Sequence, residues 1–304
     1  MVSLYSSRLL VFFAALTLAA PFVYAADKGS VISPMPAIEP VRPLVSAPDP
    51  CLAPDTIANP TRPAWDLGAA TTQCGVLESD FGFQWQGMDD SSGIKGLPGS
   101  LRYGLTPRLD LRWGFVSHQW QSGGDAALVH GTGDQWLNVR YRFHEQGRVS
   151  PAFAFDYGFK IPTASSAKGL GTGFVDHQFL FLASRDLRHT HLDFNIVGTL
   201  AGEARGYDGA AQFGLAVTQT LSRRFSGILE SYGGPQPGTS DRYGSALVGG
   251  LYAIRPWLIL DAGYTQAYTA GVPRRQVLFG ITYARRAGWA PISRNFAPAR
   301  LLGR

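Results

Sequence analysis

Val149-Ser150-Pro151-Ala152-Phe153-Ala154-Phe155-Asp156-Tyr157-Gly158-Phe159-Lys160-Ile161 has two sides of opposite chemistry. Every second residue from Val149 to Ile161 is apolar, and Phe153, Phe155, Tyr157 and Phe159 among them are aromatic. The residues between are Ser150, Ala152, Ala154, Asp156, Gly158 and Lys160, all small or charged. In an extended chain successive side chains point to opposite faces, so this segment separates an aromatic face from a polar one. Soluble antiparallel strands can alternate as well, but they run to about 5 to 6 residues and usually mix Val, Ile and Leu on the core face. This run is about 13 residues long, beyond the roughly 9 to 11 tilted residues that cross a bilayer as a strand. The sequence therefore predicts a wall strand of a membrane β-barrel.

Arg8, the apolar run Leu9 to Ala20 and the small-residue ending Val23-Tyr24-Ala25-Ala26 form a secretory signal over residues 1–25. Its apolar run is too short to span as a helix, and no later stretch approaches 18 uncharged apolar residues, so membrane insertion must be by strands. With 36 Gly, 12% aromatic and 16% charged residues, the 304-residue chain favours strands and turns over a charged soluble surface. The net charge of +5 could suit nucleic acid, but an exported chain without a basic run excludes that partner. Cys51 and Cys74 are the two cysteines; export exposes them to oxidising conditions, and a disulfide between them is expected.

Residues 26–75 hold most of the prolines and have little apolar periodicity. They read as a Pro-rich periplasmic segment, extended or disordered, its end tied back by Cys51 and Cys74. A plug or a peptidoglycan-binding arm is the alternative. From residue 76 to 284 about twelve strands alternate with turns. Short connections fall at 105–108, 146–148, 187–190, 222–224 and 254–256. Longer Gly-rich links fall between them, at 87–96, 121–131, 162–173, 202–209, 234–241 and 269–273. Outer-membrane barrels show this alternation because periplasmic turns are short and external loops long, and an even strand number leaves both ends in the periplasm. The fold class is an all-β, antiparallel up-and-down transmembrane barrel in the outer membrane of a Gram-negative bacterium. A tail, 285–304, follows.

The same two-sidedness recurs. Leu109, Leu111, Trp113 and Phe115 alternate with Asp110, Arg112 and Gly114; Leu137, Val139, Tyr141 and Phe143 alternate with Asn138, Arg140 and Arg142. An Arg or Lys facing lipid at mid-depth costs about 2–4 kcal/mol, so the apolar sets face outward. The expected pore-lining residues are Asp110, Arg112, Arg140, Arg142, Asp156, Lys160, Asp176, Asp193, Asn195, Glu230 and Asp261. They read either as a lattice of ion pairs bracing the wall or as a constriction that selects solutes. Strands 225–233 and 242–253 alternate weakly and stay unoriented.

Three segments then resemble the outer-membrane proteins grouped as the "meta-pathway of phenol degradation" family. Tyr103-Gly104-Leu105-Thr106-Pro107-Arg108-Leu109-Asp110-Leu111 is similar to that family's Gly-Leu-Thr turn and following strand. Ile161-Pro162-Thr163-Ala164 running to Gly169-Leu170-Gly171-Thr172-Gly173-Phe174-Val175-Asp176 is similar to its Pro-Thr loop, Gly-x-Gly and Asp. Leu260-Asp261-Ala262-Gly263-Tyr264 is similar to its penultimate strand. The resemblance implies transport of small hydrophobic or aromatic solutes. The segment 26–75 lies outside it, and the tail past Tyr283 departs from members that stop at the last strand.

Catalysis is not expected. None of the six His has a Ser two residues on, the arrangement that lets an imidazole activate a hydroxyl in membrane-embedded lipid hydrolases. His189 and His191 at a short turn are too few for a metal site and read as solvated. No cofactor or metal is expected. The expected partners are outer-membrane lipid and lipopolysaccharide, the barrel-assembly machinery and small solutes. A passive channel is the reading; a lipid or lipopolysaccharide hydrolase and a non-conducting structural or adhesive barrel are the alternatives.

Overall fold

The computed structural model describes residues 51, 55–65, 67–87, 92–122, 128–235, 242–269 and 273–287. The signal segment, residues 26–50 and residues 288–304 of the tail lie outside the described residues.

The strands are β1 (Val76–Gly87), β2 (Gly93–Thr106), β3 (Leu109–Ser122), β4 (Val129–Gly131), β5 (Gln135–His144), β6 (Ala152–Ile161), β7 (His177–Leu187), β8 (Thr190–Glu203), β9 (Gly206–Thr220), β10 (Phe225–Pro235), β11 (Arg242–Arg255), β12 (Leu258–Ala267) and β13 (Arg275–Arg286). Apart from the three-residue β4, which pairs with the outer part of β3, each long strand is antiparallel to its sequence neighbours. β1 pairs with β2 on one side and β13 on the other, closing a barrel of twelve strands and leaving no free edge.

Side-chain parity sets the inside and the outside. Phe81, Leu111, Trp113, Tyr141, Phe155, Phe179, Phe213 and Phe279 are exposed, whereas Glu78, Asp80, Arg102, Asp110, Arg140, Asp156, Asp193, Glu230 and Asp261 are buried. This inverts a soluble protein, and hydrocarbon is the surrounding that such a surface requires. Outer rings on neighbouring strands also touch: Phe153 and Phe181 are 5.6 Å apart, Tyr157 and Phe179 5.2 Å.

Strand bounds differ from expectation in two places with a physical cause. β6 begins at Ala152, not Val149: Pro151 has no N–H for the ladder, and Val149 stands 80% exposed in the turn. The loop expected over 202–209 is a tight hairpin through Ala204 and Arg205, with Glu203 opposite Gly206. Gly206 supplies the φ of +133° at which that hairpin closes.

The largest difference concerns the Pro-rich segment. Residues 55–65 and 67–73 lie inside the barrel, on its inner wall. The backbone has no sheet partner there, so side chains of the wall satisfy it. Asn59 N donates to Glu78 (3.0 Å), Trp65 N to Glu230 (2.9 Å), Ala69 N to Ser184 Oγ (2.7 Å) and Thr72 N to Asp110 (2.6 Å). Carbonyls of Asn59, Gly68 and Ala70 accept from Arg102 and Arg140. The arm also covers two apolar patches of the inner wall. Ala69 and Ala70, with Trp65 and Leu67 against them, pack on Ala152, Ala154, Leu180, Leu182 and Val197. Ala58, with Ala64 beside it, packs on Ile228, Leu247, Leu251, Ile259 and Leu278. That second patch explains why β10 and β11 resist orientation by pattern: both of their faces carry apolar residues, one towards lipid and one towards the arm. Gly249 and Gly263 let the arm approach, since a Cβ at either would come within 2.8 Å of Pro63. The disulfide between Cys51 and Cys74, expected from sequence, closes the arm into a loop.

Candidate functional site

The inner wall carries a lattice of buried ion pairs, and most of its members hold either the arm or a loop. On β1 and β2, Arg102 bridges Glu78 and Asp80, and Asp80 also accepts from Ser100 Oγ (3.0 Å) and Thr282 Oγ1 (2.5 Å). On β5 and β6, Arg140 binds Asp156 at 3.0 Å and reaches the carbonyls of Gly68 (2.9 Å) and Ala70 (3.2 Å). Asn138 Nδ2 donates to the other Asp156 oxygen at 2.9 Å. Arg142 donates to Pro107 O in the β2–β3 turn and pairs with Glu145 at 3.3 Å. Lys160, towards the other end, ties down the β6–β7 loop through Asp176 (2.6 Å) and Thr172 (2.8 Å) and reaches Asp134 (3.7 Å) just before β5.

Of the residues expected to line a pore, Asp110, Arg140, Arg142, Asp156, Lys160, Asp193, Asn195, Glu230 and Asp261 are buried inside the barrel, and Asp176 sits in the loop just before β7. Most are spent on structure: Asp110 and Glu230 accept arm amides, and Asp193 accepts from Ser184 and His191. His191 is therefore not solvated as expected. It lies between Asp186 (2.7 Å) and Asp193 (3.0 Å) behind the arm at Gly68. Arg112 stands apart, with a single weak pairing to Asp156 at 3.4 Å.

Pattern reading missed Glu78, Asp80, Arg102 and Arg62. The first three carry a usable signal, because Glu78 and Asp80 alternate with Leu77 and Phe81, and Arg102 stands between Leu101 and Tyr103. Arg62 has no such signal. It reaches the wall from the arm, at Phe279 O (3.0 Å) and Asp261 (3.5 Å).

Between the arm and the wall of β1, β2, β3, β5 and β7 lies a cavity of about 430 Å³. Thr61 and Arg62 bound it on the arm side; Asp80, Ser100, Arg112, Asn138 and Gln178 give it polar walls, and Pro98 and Trp136 apolar ones. No group of three or more potential metal ligands occurs among the described residues. His144 and Ser150 meet at 2.9 Å, but in an exposed β5–β6 turn where the adjacent Glu145 is engaged by Arg108 and Arg142.

A closed even-stranded barrel with an apolar exterior and a charged interior is an integral β-barrel of the Gram-negative outer membrane. No family model matches the sequence, and no curated protein matches it. Solved structures do. An outer-membrane channel from Pseudomonas putida F1 superposes with a TM-score of 0.57 at 13% identity, over 75% of this chain and 99% of that one. The KdgM porin in complex with disordered oligogalacturonate follows with a TM-score of 0.48 at 8% identity, over 68% and 98%. The NanC porin gives 0.46 at 10%, again over 68% and 98%. At these identities the first of them establishes the likeness of fold, and the other two lie below the similarity at which a match carries weight.

Proposed function

We propose that the protein is a passive outer-membrane channel for small molecules, in which the arm over 55–73 narrows the lumen and solutes pass beside it. The observation that carries this reading is the polar cavity between the arm and the β1–β3 and β5 wall, space inside the barrel that neither wall side chains nor the arm occupy. An eight-stranded barrel is filled by its own side chains, and a twelve-stranded one is wider, so a partly filled lumen is what this strand number supports. The description of the Pseudomonas putida F1 structure as a channel agrees with it. The solute class, small hydrophobic or aromatic compounds, comes from the resemblance to the phenol-degradation family. In that role Arg112 and Asn138 lie on the solute path, whereas Arg140, Arg142, Asp156, Asp193, Glu230 and Asp261 shape it by holding arm and wall.

Single-channel recording of the refolded full chain in a planar bilayer tests the proposal. Discrete openings that aromatic solutes interrupt are expected. A folded barrel that stays silent, with no solute entry into liposomes, would replace the channel with a structural barrel sealed by its arm.

A further inference from the structure

We infer that the luminal cavity is a binding site for an organic monocarboxylate with an aromatic body, held by Arg112 against Trp136. This rests on the channel reading in taking the cavity to lie on the solute path.

Inside the barrel the charges are paired, but they are not equally hidden. The side chains of Arg102 and Arg140 are 2% and 3% exposed, and the carboxylates of Asp80 and Asp156 2% and 1%. Arg112 and Arg62 retain 16% and 14%, and both line the cavity. A solute in that space therefore meets two partly open guanidinium groups, whereas the one carboxylate on the cavity wall, Asp80, is 2% exposed and Asp156 does not line it. Asp80 is engaged by Arg102, Ser100 and Thr282, and Asp156 by Arg140 and Asn138. Local field and accessibility both favour an anion.

Arg112 is the group free to take it. Asp156 is already neutralised by Arg140 at 3.0 Å, and the 3.4 Å approach of one Arg112 nitrogen leaves most of that fork without a strong partner. A planar fork of donors matches a carboxylate in bidentate fashion. Arg62 is less free, since one nitrogen donates to Phe279 O and another approaches Asp261.

The apolar part of the ligand follows from the neighbouring strand, where Trp136 stands diagonal to Arg112. Trp136 is a half-buried indole on the inner face of β5, and Gly114, directly across on β3, adds no side chain in front of it. Pro98 supplies a second flat apolar surface, and Ser100, Asn138 and Gln178 offer polar groups at the margin. An anion-binding fork beside an aromatic face and a ring suits an aryl carboxylate better than a sugar or an inorganic ion. The volume, about 430 Å³, falls within the roughly 300–1,000 Å³ of small-molecule sites.

The test is a saturation-transfer NMR titration of the refolded full chain in detergent with benzoate and with benzamide, its neutral analogue of similar shape. Benzoate is expected to bind about tenfold more tightly or better, the worth of a charge-assisted bidentate pair. Arg112→Gln should abolish the preference, weakening benzoate far more than benzamide, while Trp136→Ala should weaken both ligands and keep their ratio. Equal affinities in the wild type, or a preference that survives Arg112→Gln, would overturn the site. Should Arg112→Gln lose the heat-modifiable migration of a folded barrel, Arg112→Lys decides: it keeps the charge without the fork, and an undiminished preference would refute bidentate capture. Binding is read without passage, so the two readings fail separately. A silent barrel that prefers benzoate removes the channel and keeps the site; a conducting barrel without the preference does the reverse.

Discussion

Arg140→Gln should destabilise the barrel far more than Arg112→Gln, although both remove an inner-wall arginine that faces Asp156. Arg140 makes both the close ion pair with Asp156 and two bonds to the arm, at Gly68 O and Ala70 O. Breaking a buried pair by removing one partner costs about 3–5 kcal/mol. Arg112, 3.4 Å from the same carboxylate, relieves part of that in the Arg140 variant, placing the pair's loss near the lower figure. The two arm carbonyls lose their donor, at roughly 1–3 kcal/mol for each group that stays buried and unsatisfied. Together these give a destabilisation of about 5 kcal/mol or more. In the Arg112 variant Asp156 retains Arg140 and Asn138, and the cost should be about 1 kcal/mol or less. Urea unfolding of refolded protein in lipid vesicles, followed by tryptophan fluorescence, measures both, with the shift in midpoint read at constant slope. Limited proteolysis adds a local readout, since cleavage within 55–73 should accelerate in the Arg140 variant only. Equal midpoints for the two variants, or an Arg140→Gln protein as stable as wild type, would refute the assignment of Arg140 as the clamp on the arm.

Three further outcomes are expected. Replacing Cys51 and Cys74 with Ser opens a loop with a sequence separation of 23, which by chain entropy removes about 3 kcal/mol, and should speed proteolysis of the arm without altering the strand content seen by circular dichroism. Deleting residues 56–72 should raise single-channel conductance well above that of the full chain, and an unchanged conductance would mean that the arm does not narrow the path. Phe155→Arg places a charge on the outer face of β6 and should cost about 2–4 kcal/mol in bilayer-based unfolding, whereas Val149→Arg, in the exposed turn, should cost at most about 1 kcal/mol. Similar costs at the two positions would contradict the start of β6 at Ala152.

The sequence by itself determined the wall. A strand alternates its side chains with a period of two wherever it lies, so Phe153, Phe155 and Tyr157 opposite Ala154, Asp156 and Gly158 state which face meets lipid without knowledge of any neighbour. The same local rule carried Asp110, Arg140, Asp193 and Asp261 to the inner face. The disulfide followed from an exported chain with two cysteines. Tertiary structure alone decided what the interior contains. An extended arm bonded through its own amides and carbonyls to wall side chains leaves no periodic trace, because every residue offers the same backbone groups. Its traces lie elsewhere, in apolar residues such as Leu182 and Leu247 on the inner face and in Gly249 and Gly263 within strands, and these acquire meaning only once the arm is seen against them. Which arginine remains open to a solute was equally out of reach. Arg112 and Arg140 share a parity, a wall and a carboxylate, and the path of residues 68–70 past one of them makes it structural and leaves the other exposed to the lumen.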